Sequence, residues 1–198
     1  NDGIKLVALL GEKGGEEEEF EYTCSSLHPD GLILGAGTKD GKLRIWDLKR
    51  QSLAGTLVCE GDPSPVSSLS FSENGYHFAS SSLSGAVRVW DLRKLKCIAT
   101  LNDGTKEEDK AKAVKAVAFD PSGKFVVYGG GEGGAAATIV PVKEWDKKTT
   151  VGGGGEDSAS VVTGIVWASD ASLLATCAEG ERPVRFWGAP AEVKKEED

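Results

Sequence analysis

The chain has 198 residues, a formal net charge of −8 at neutral pH, 27% charged residues and no methionine. That acidity argues against a nucleic-acid surface spread over the whole segment. No apolar run approaches the roughly 20 residues that would cross a bilayer as a helix. The length could bury a sizeable core in one domain or two, but an internal repeat decides the architecture.

Residues 1–10 end in LVALL and read as the last strand of a preceding unit. Residues 11–21, GEKGGEEEEFE, are glycine-rich and acidic and read as an exposed loop. Residues 22–58 then hold four short alternating or β-branched segments, YTCSSL, LILGAG, KLRIWDL and LAGTLV. Residues 66–101 repeat the scheme. VSSLSF and YHFASS flank Glu73-Asn74-Gly75, and Asn-Gly is the strongest short hairpin signal a sequence offers. Ser84-Gly85 breaks the chain before AVRVWDL, where Val87 and Val89 mark a strand with Arg88 facing outward. Lys94-Leu95-Lys96 leads into CIATL. The polar stretch NDGTKEEDKAK is an insertion, after which residues 114–151 (VKAVAF, KFVVYG, ATIVPV, TTV) form an irregular third unit. Residues 161–187 (VTGIVW, LLATCA, VRFWG) supply an incomplete last one, and residues 188–198 are a charged tail.

Leu27, Phe71, Phe119 and Trp167 close the first segment of each unit at spacings of 44, 48 and 48 residues. The turns HPDG, SENG, DPSG and SDAS follow them. Trp46 and Trp90 are 44 apart, with Trp187 where another should fall; the third unit has no Trp-Asp there, and Trp145-Asp146 comes late as a different feature. Four antiparallel strands ending in Trp-Asp, repeated at such a period, are blades of a WD-repeat β-propeller. The fold class is therefore all-β, with about four blades of a larger ring of about seven. The abrupt opening at Asn1 and the lack of methionine read as the C-terminal part of a longer chain, with blades missing upstream.

Candidate chemistry is sparse. Gly129, Gly131 and Gly134 satisfy G-x-G-x-x-G, yet AAATIVPV follows where a dinucleotide site needs a helix. His28 and His77 read as solvated turn histidines. The scattered Cys24, Cys59, Cys97 and Cys177 read as buried thiols of a reducing compartment, and Glu16 to Glu19 as a solvated loop. No catalytic residue, cofactor or metal ligand is expected.

Charge is sorted between two faces. The loops between blades and the second-to-third-strand turns share one face, which receives Glu12, Glu16, Glu17, Glu18, Glu19, Glu21, Glu60, Asp62, Asp103, Glu107, Glu108, Asp109, Glu156 and Asp157. The third-to-fourth-strand turns lie on the opposite face, with Lys49, Arg50, Arg93, Lys94 and Lys96 as the candidate partner-binding residues, joined by Lys143, Lys147 and Lys148. An acidic face for basic partner segments and a basic rim for acidic proteins or RNA backbone are the expectation.

HPDGLILGAGTKDGKLRIWDLK, FSENGYHFASSS, VRVWDLRKLK, VKAVAFDPSGKFVVYGG, VKEW and TGIVWASDASLLAT occur in this order. Over about Tyr22 to Trp187 they resemble the WD-repeat domain of the pre-mRNA-processing factor 19 family, whose penultimate blade also lacks Trp-Asp and carries a late Trp. The glycine- and acid-rich insertions depart from that pattern but fall in loops. The resemblance implies a nuclear protein of the NineTeen complex, active in the spliceosome and linked to DNA repair. It also implies a U-box E3 ubiquitin ligase whose coiled coil forms a homotetramer, with this propeller recruiting spliceosomal partners and ubiquitylation substrates. The U-box and coiled coil are not encoded here, so ligase chemistry would belong to the parent protein. RNA contact would be peripheral at most, and no membrane is involved. The alternative is a WD-repeat adaptor of another ubiquitin-ligase or signalling complex.

Overall fold

A computed structural model of the protein describes residues 6, 8–10, 21–102, 113–129, 137–152, 161–180 and 182–188. The first sheet comprises β1 (Tyr22–Leu27), β2 (Ile33–Thr38), β3 (Lys42–Asp47) and β4 (Ser52–Val58), in that spatial order. The second repeats it with β5 (Val66–Phe71), β6 (His77–Ser82), β7 (Val87–Asp91) and β8 (Lys96–Asn102). The third comprises β9 (Val117–Phe119), β10 (Phe125–Gly129), β11 (Ala137–Pro141) and β12 (Thr149–Val151), and the fourth β13 (Val162–Trp167), β14 (Leu173–Ala178) and β15 (Arg185–Gly188). Every pairing is antiparallel. Innermost strands touch from sheet to sheet, β1 against β5, β5 against β9 and β9 against β13, so the sheets are four blades of a propeller arranged as an arc. Within the LVALL segment, Leu6 and residues 8–10 are not in a strand, and Val7 lies outside the described residues.

The turns explain the register. The first-to-second-strand turns close with N–H to C=O bonds from Gly31 to His28, Gly75 to Ser72, Gly123 to Asp120 and Ala171 to Ala168. The last of these places the fourth turn at Ala168–Ala171, one residue before the SDAS expected from the sequence. Its closing residue needs left-handed backbone, which glycine adopts freely in three blades (φ 67 to 71°) and Ala171 adopts at φ 59° against a Cβ penalty.

The core lies between blades and not within any one of them. Leu43, Ile45, Leu57, Val66, Leu69, Phe71, Phe78 and Trp90 fill the first junction. Phe78 stacks on Trp90 with centroids 6.1 Å apart, and its burial contributes roughly 1.5–3 kcal/mol. Val87, Val89, Leu101, Val114, Val117, Phe119, Val126 and Val140 fill the second; Val127, Ala137 and Leu174 begin the third. The serines of VSSLSF stitch the inner strands together, because Ser68 Oγ accepts from Val117 N and Ser70 Oγ from Phe119 N at 3.3 and 3.0 Å. Backbone approach is close at the blade boundaries: a Cβ on Gly129 would lie 2.5 Å from Val162 of the fourth blade. Gly129 is thus a packing glycine at the end of β10, while Gly131 and Gly134 lie outside the described residues.

Several side chains depart from the sequence reading. Arg88 does not face outward but is buried, its Nη1 3.0 Å from Asp62 Oδ2. His28 is buried instead of solvated: its Nε2 donates to the Gly75 carbonyl at 3.0 Å, and its ring meets Phe71 edge-on at 5.3 Å. His77 is half-buried. Of the four thiols only Cys59 is buried and Cys24 partly so; Cys97 on an outermost strand and Cys177 on the open side of the last blade are exposed. For Arg88 the cause is that an interior blade is covered on both faces, so strand alternation selects one neighbour or the other and not core or water.

Candidate partner-binding face

Two sets of contacts define the two ends of the blades. First-to-second-strand turns meet at one end, where His28 reaches Gly75 and a Cβ on Gly123 would lie 3.0 Å from Ser72 Oγ. At the other end, the loop after β4 meets the β6–β7 turn through Asp62. Its carboxylate accepts from Ser82 Oγ at 2.8 Å, Ser84 Oγ at 2.9 Å and Arg88. Burial pushes the Asp62 carboxyl up, but the bonds from Ser82, Arg88 and Ser84 outweigh it and hold the group below its ordinary range. Asp62 was expected as an accessible charge of the acidic face; it is instead consumed in locking the first blade to the second. Glu60 is exposed on this face, and Glu21 is exposed and pairs with Lys39 at 2.8 Å. The expected charges at Glu12, Glu16 to Glu19, Asp103, Glu107, Glu108, Asp109, Glu156 and Asp157 lie outside the described residues.

The first end carries the basic rim. In the first two blades the aspartate of the Trp-Asp pair builds the turn that presents it. Asp91 Oδ1 accepts from Arg93 N at 2.9 Å and Lys94 N at 3.1 Å, while Asp47 Oδ1 accepts from Arg50 N at 2.8 Å. Burial raises the Asp91 carboxyl, but those amides and the Arg93 guanidinium prevail and it sits below the usual carboxylate range. Leu95 and Gln51 complete the turns in left-handed backbone at φ 49° and 52°. Lys49, Arg50, Arg93, Lys94 and Lys96 are all exposed as a result.

One backbone bond repeats in three blades: Leu48 N to Leu32 O, Leu92 N to Tyr76 O, and Val142 N to Lys124 O. Lys49, Arg93 and Lys143 are therefore equivalent, each the residue after that bond. In the third blade Pro141 stands at the Asp91 position, and Trp145 folds back against the core between the second and third blades. Around Arg93 the surface is specialised. Its guanidinium lies 4.3 Å from the centroid of the Tyr76 ring, a contact worth about 0.5–1 kcal/mol at an exposed site. Beside it, burial depresses the His77 imidazole, Asp91 opposes that, and the charges of Arg93 and Lys143 add to the depression. The sequence pointed to the rim cations but not to Tyr76, and gave His77 only as a solvated turn histidine; YHF after Asn-Gly was the available signal, since residues there return beside the third-to-fourth-strand turn. Acids share this end, among them Asp30, Glu73, Glu144 and Asp170, so its positive character is local to the outer turns.

Similarity to known proteins agrees with the repeat. Residues 19–47 and 53–91 match the WD domain, G-beta repeat. Pre-mRNA-processing factor 19 of Oryza sativa subsp. japonica is 36% identical over 192 residues, covering 97% of this chain and 34% of that protein. The Homo sapiens protein of the same name is 33% identical over 184 residues, covering 93% and 33%. The chain thus spans about one third of the length of these relatives. In fold it superposes on a chain in the crystal structure of the mitotic checkpoint complex with a TM-score of 0.71 at 24% identity, covering 87% of this chain and 49% of that one. Four antiparallel sheets in an arc, three of them bearing Trp, and an alignment that runs through nearly all of them, make this chain a WD-repeat domain of the pre-mRNA-processing factor 19 family.

Proposed function

We propose that the chain is a non-catalytic protein-interaction propeller of a spliceosomal NineTeen-complex scaffold. In this reading it recruits partners and ubiquitylation substrates in the nucleus for the U-box E3 ligase of its parent protein. The observation that carries it is the 36% identity over an alignment that covers 97% of the chain. The side-chain inventory fits a binding role: the buried, perturbed carboxyls of Asp62 and Asp91 are spent on a blade junction and a turn, and the turns hold cations outward. Ubiquitin transfer, and tetramerisation through a coiled coil, would lie in other regions of the parent.

The test is affinity purification of the tagged full-length protein from nuclear extract, beside a form lacking residues 22–188. Spliceosomal proteins and ubiquitylated substrates should co-purify with the first and be depleted from the second. Their absence from both, or undiminished recovery with the deleted form, would overturn the reading.

A further inference from the structure

The junction of the second and third blades, at the end carrying the basic rim, holds a constellation that a general scaffold role does not specify. Arg93 is fixed at three points: its amide on Asp91, its Nη2 3.4 Å from Asp91 Oδ2, and its guanidinium over Tyr76. Its side chain nevertheless remains 60% exposed, so much of its planar fork is free to bond outward. Lys143 projects from the equivalent turn of the next blade, where Pro141 replaces the aspartate and gives it no matching carboxylate. Val142 and Trp145, on either side of Lys143, pack against the core shared by the second and third blades, so Lys143 emerges at the same junction as Arg93.

We propose that this junction is a docking site for a short acidic peptide segment, its carboxylates held by Arg93 and Lys143 with Lys94 beside them. A planar guanidinium stacked on a ring is preorganised for bidentate carboxylate binding, which lowers the ordering cost of capture. Two observations favour a peptide over RNA. The face of Tyr76 is occupied by Arg93, which leaves it unavailable as a base-stacking platform. Asp30, Glu73, Glu144 and Asp170 also lie at this end, and a long polyphosphate backbone laid across it would meet their repulsion, whereas a short peptide needs only the junction. The site rests on the scaffold reading only for its biological use, since the binding itself is a property of this surface.

The test uses the purified full-length protein and a fluorescein-labelled peptide rich in Glu and Asp. An Asn/Gln version of that peptide and polyuridine RNA are the competitors. The acidic peptide should bind in a salt-sensitive manner, and the neutral version should not. Affinity should fall by roughly tenfold or more in Arg93→Gln/Lys143→Gln and be unchanged in Lys39→Glu at the opposite end. Arg93→Lys should recover only part of it, because charge returns without the fork. Equal affinity in the Arg93→Gln/Lys143→Gln protein, or RNA displacing the peptide more strongly than unlabelled peptide does, would overturn the proposal. Either result would leave the co-purification of spliceosomal proteins, and so the scaffold reading, untouched.

Discussion

The second and fourth blades share their local chemistry but differ in burial. Trp90 Nε1 donates to Ser80 Oγ at 2.8 Å, and Trp187 Nε1 donates to Thr176 Oγ1 at 3.0 Å in the same register. Yet every residue of β7 is buried, while Phe186 in β15 is 71% exposed and Val166 in β13 67% exposed. The second blade has a neighbour on each side. Among the described residues the fourth has only the third. Hydrogen bonding builds a blade, but adjacent blades supply the apolar burial that stabilises it.

Mutations can break that comparison. The largest effect is expected from Phe78→Ala, about 3–5 kcal/mol by denaturant unfolding, against less than about 0.5 kcal/mol for Phe186→Ala. Equal losses would mean that neighbouring blades do not set the stability of each. Next is Asp62→Ala, which strands buried Arg88 and should cost about 3 kcal/mol. Because the Asp62 carboxyl is held below its ordinary value of 3.8, it binds a proton more readily unfolded than folded. Its stabilising contribution is therefore present above that value and lost as pH falls through the depressed folded value. Acid unfolding curves of wild type and Asp62→Asn should converge there; parallel curves down to the acid limit would contradict the assignment.

A smaller pair of changes sharpens the contrast at one turn position. Gly75→Ala should destabilise the second blade by about 1–2 kcal/mol, since its backbone is left-handed and the new Cβ meets His28 at 3.3 Å. Ala171→Gly should do the reverse in the fourth blade, adding up to about 1 kcal/mol. Thermal melts of the two variants should shift in opposite directions.

The period, the hairpin at Asn74-Gly75 and the four-strand units were legible because turn chemistry is local. So were the rim lysines and arginines, which follow directly from the Trp-Asp turns. Arg88, Asp62 and His28 were not. Their partners lie 26 and 47 residues away in sequence, across a blade junction, and a polar residue in an alternating strand looks the same whether it faces water or a neighbouring blade. The fourth turn was misplaced by one residue because Ala171 occupies a position that glycine marks in the other blades.

The rim variants Arg93→Glu, Lys94→Glu and Lys96→Glu should have the smallest effect on folding, within about 0.5 kcal/mol, since these side chains are exposed. Their effect on binding decides the account. Association of the full-length triple variant with the spliceosomal proteins that co-purify with the wild type should be measured at low and physiological salt. The variant should bind acidic partners more slowly and more weakly, most clearly at low salt, with an unchanged melting temperature. Unchanged association with every partner at low salt would show the basic rim to be a solvated edge and contradict its role as a binding surface.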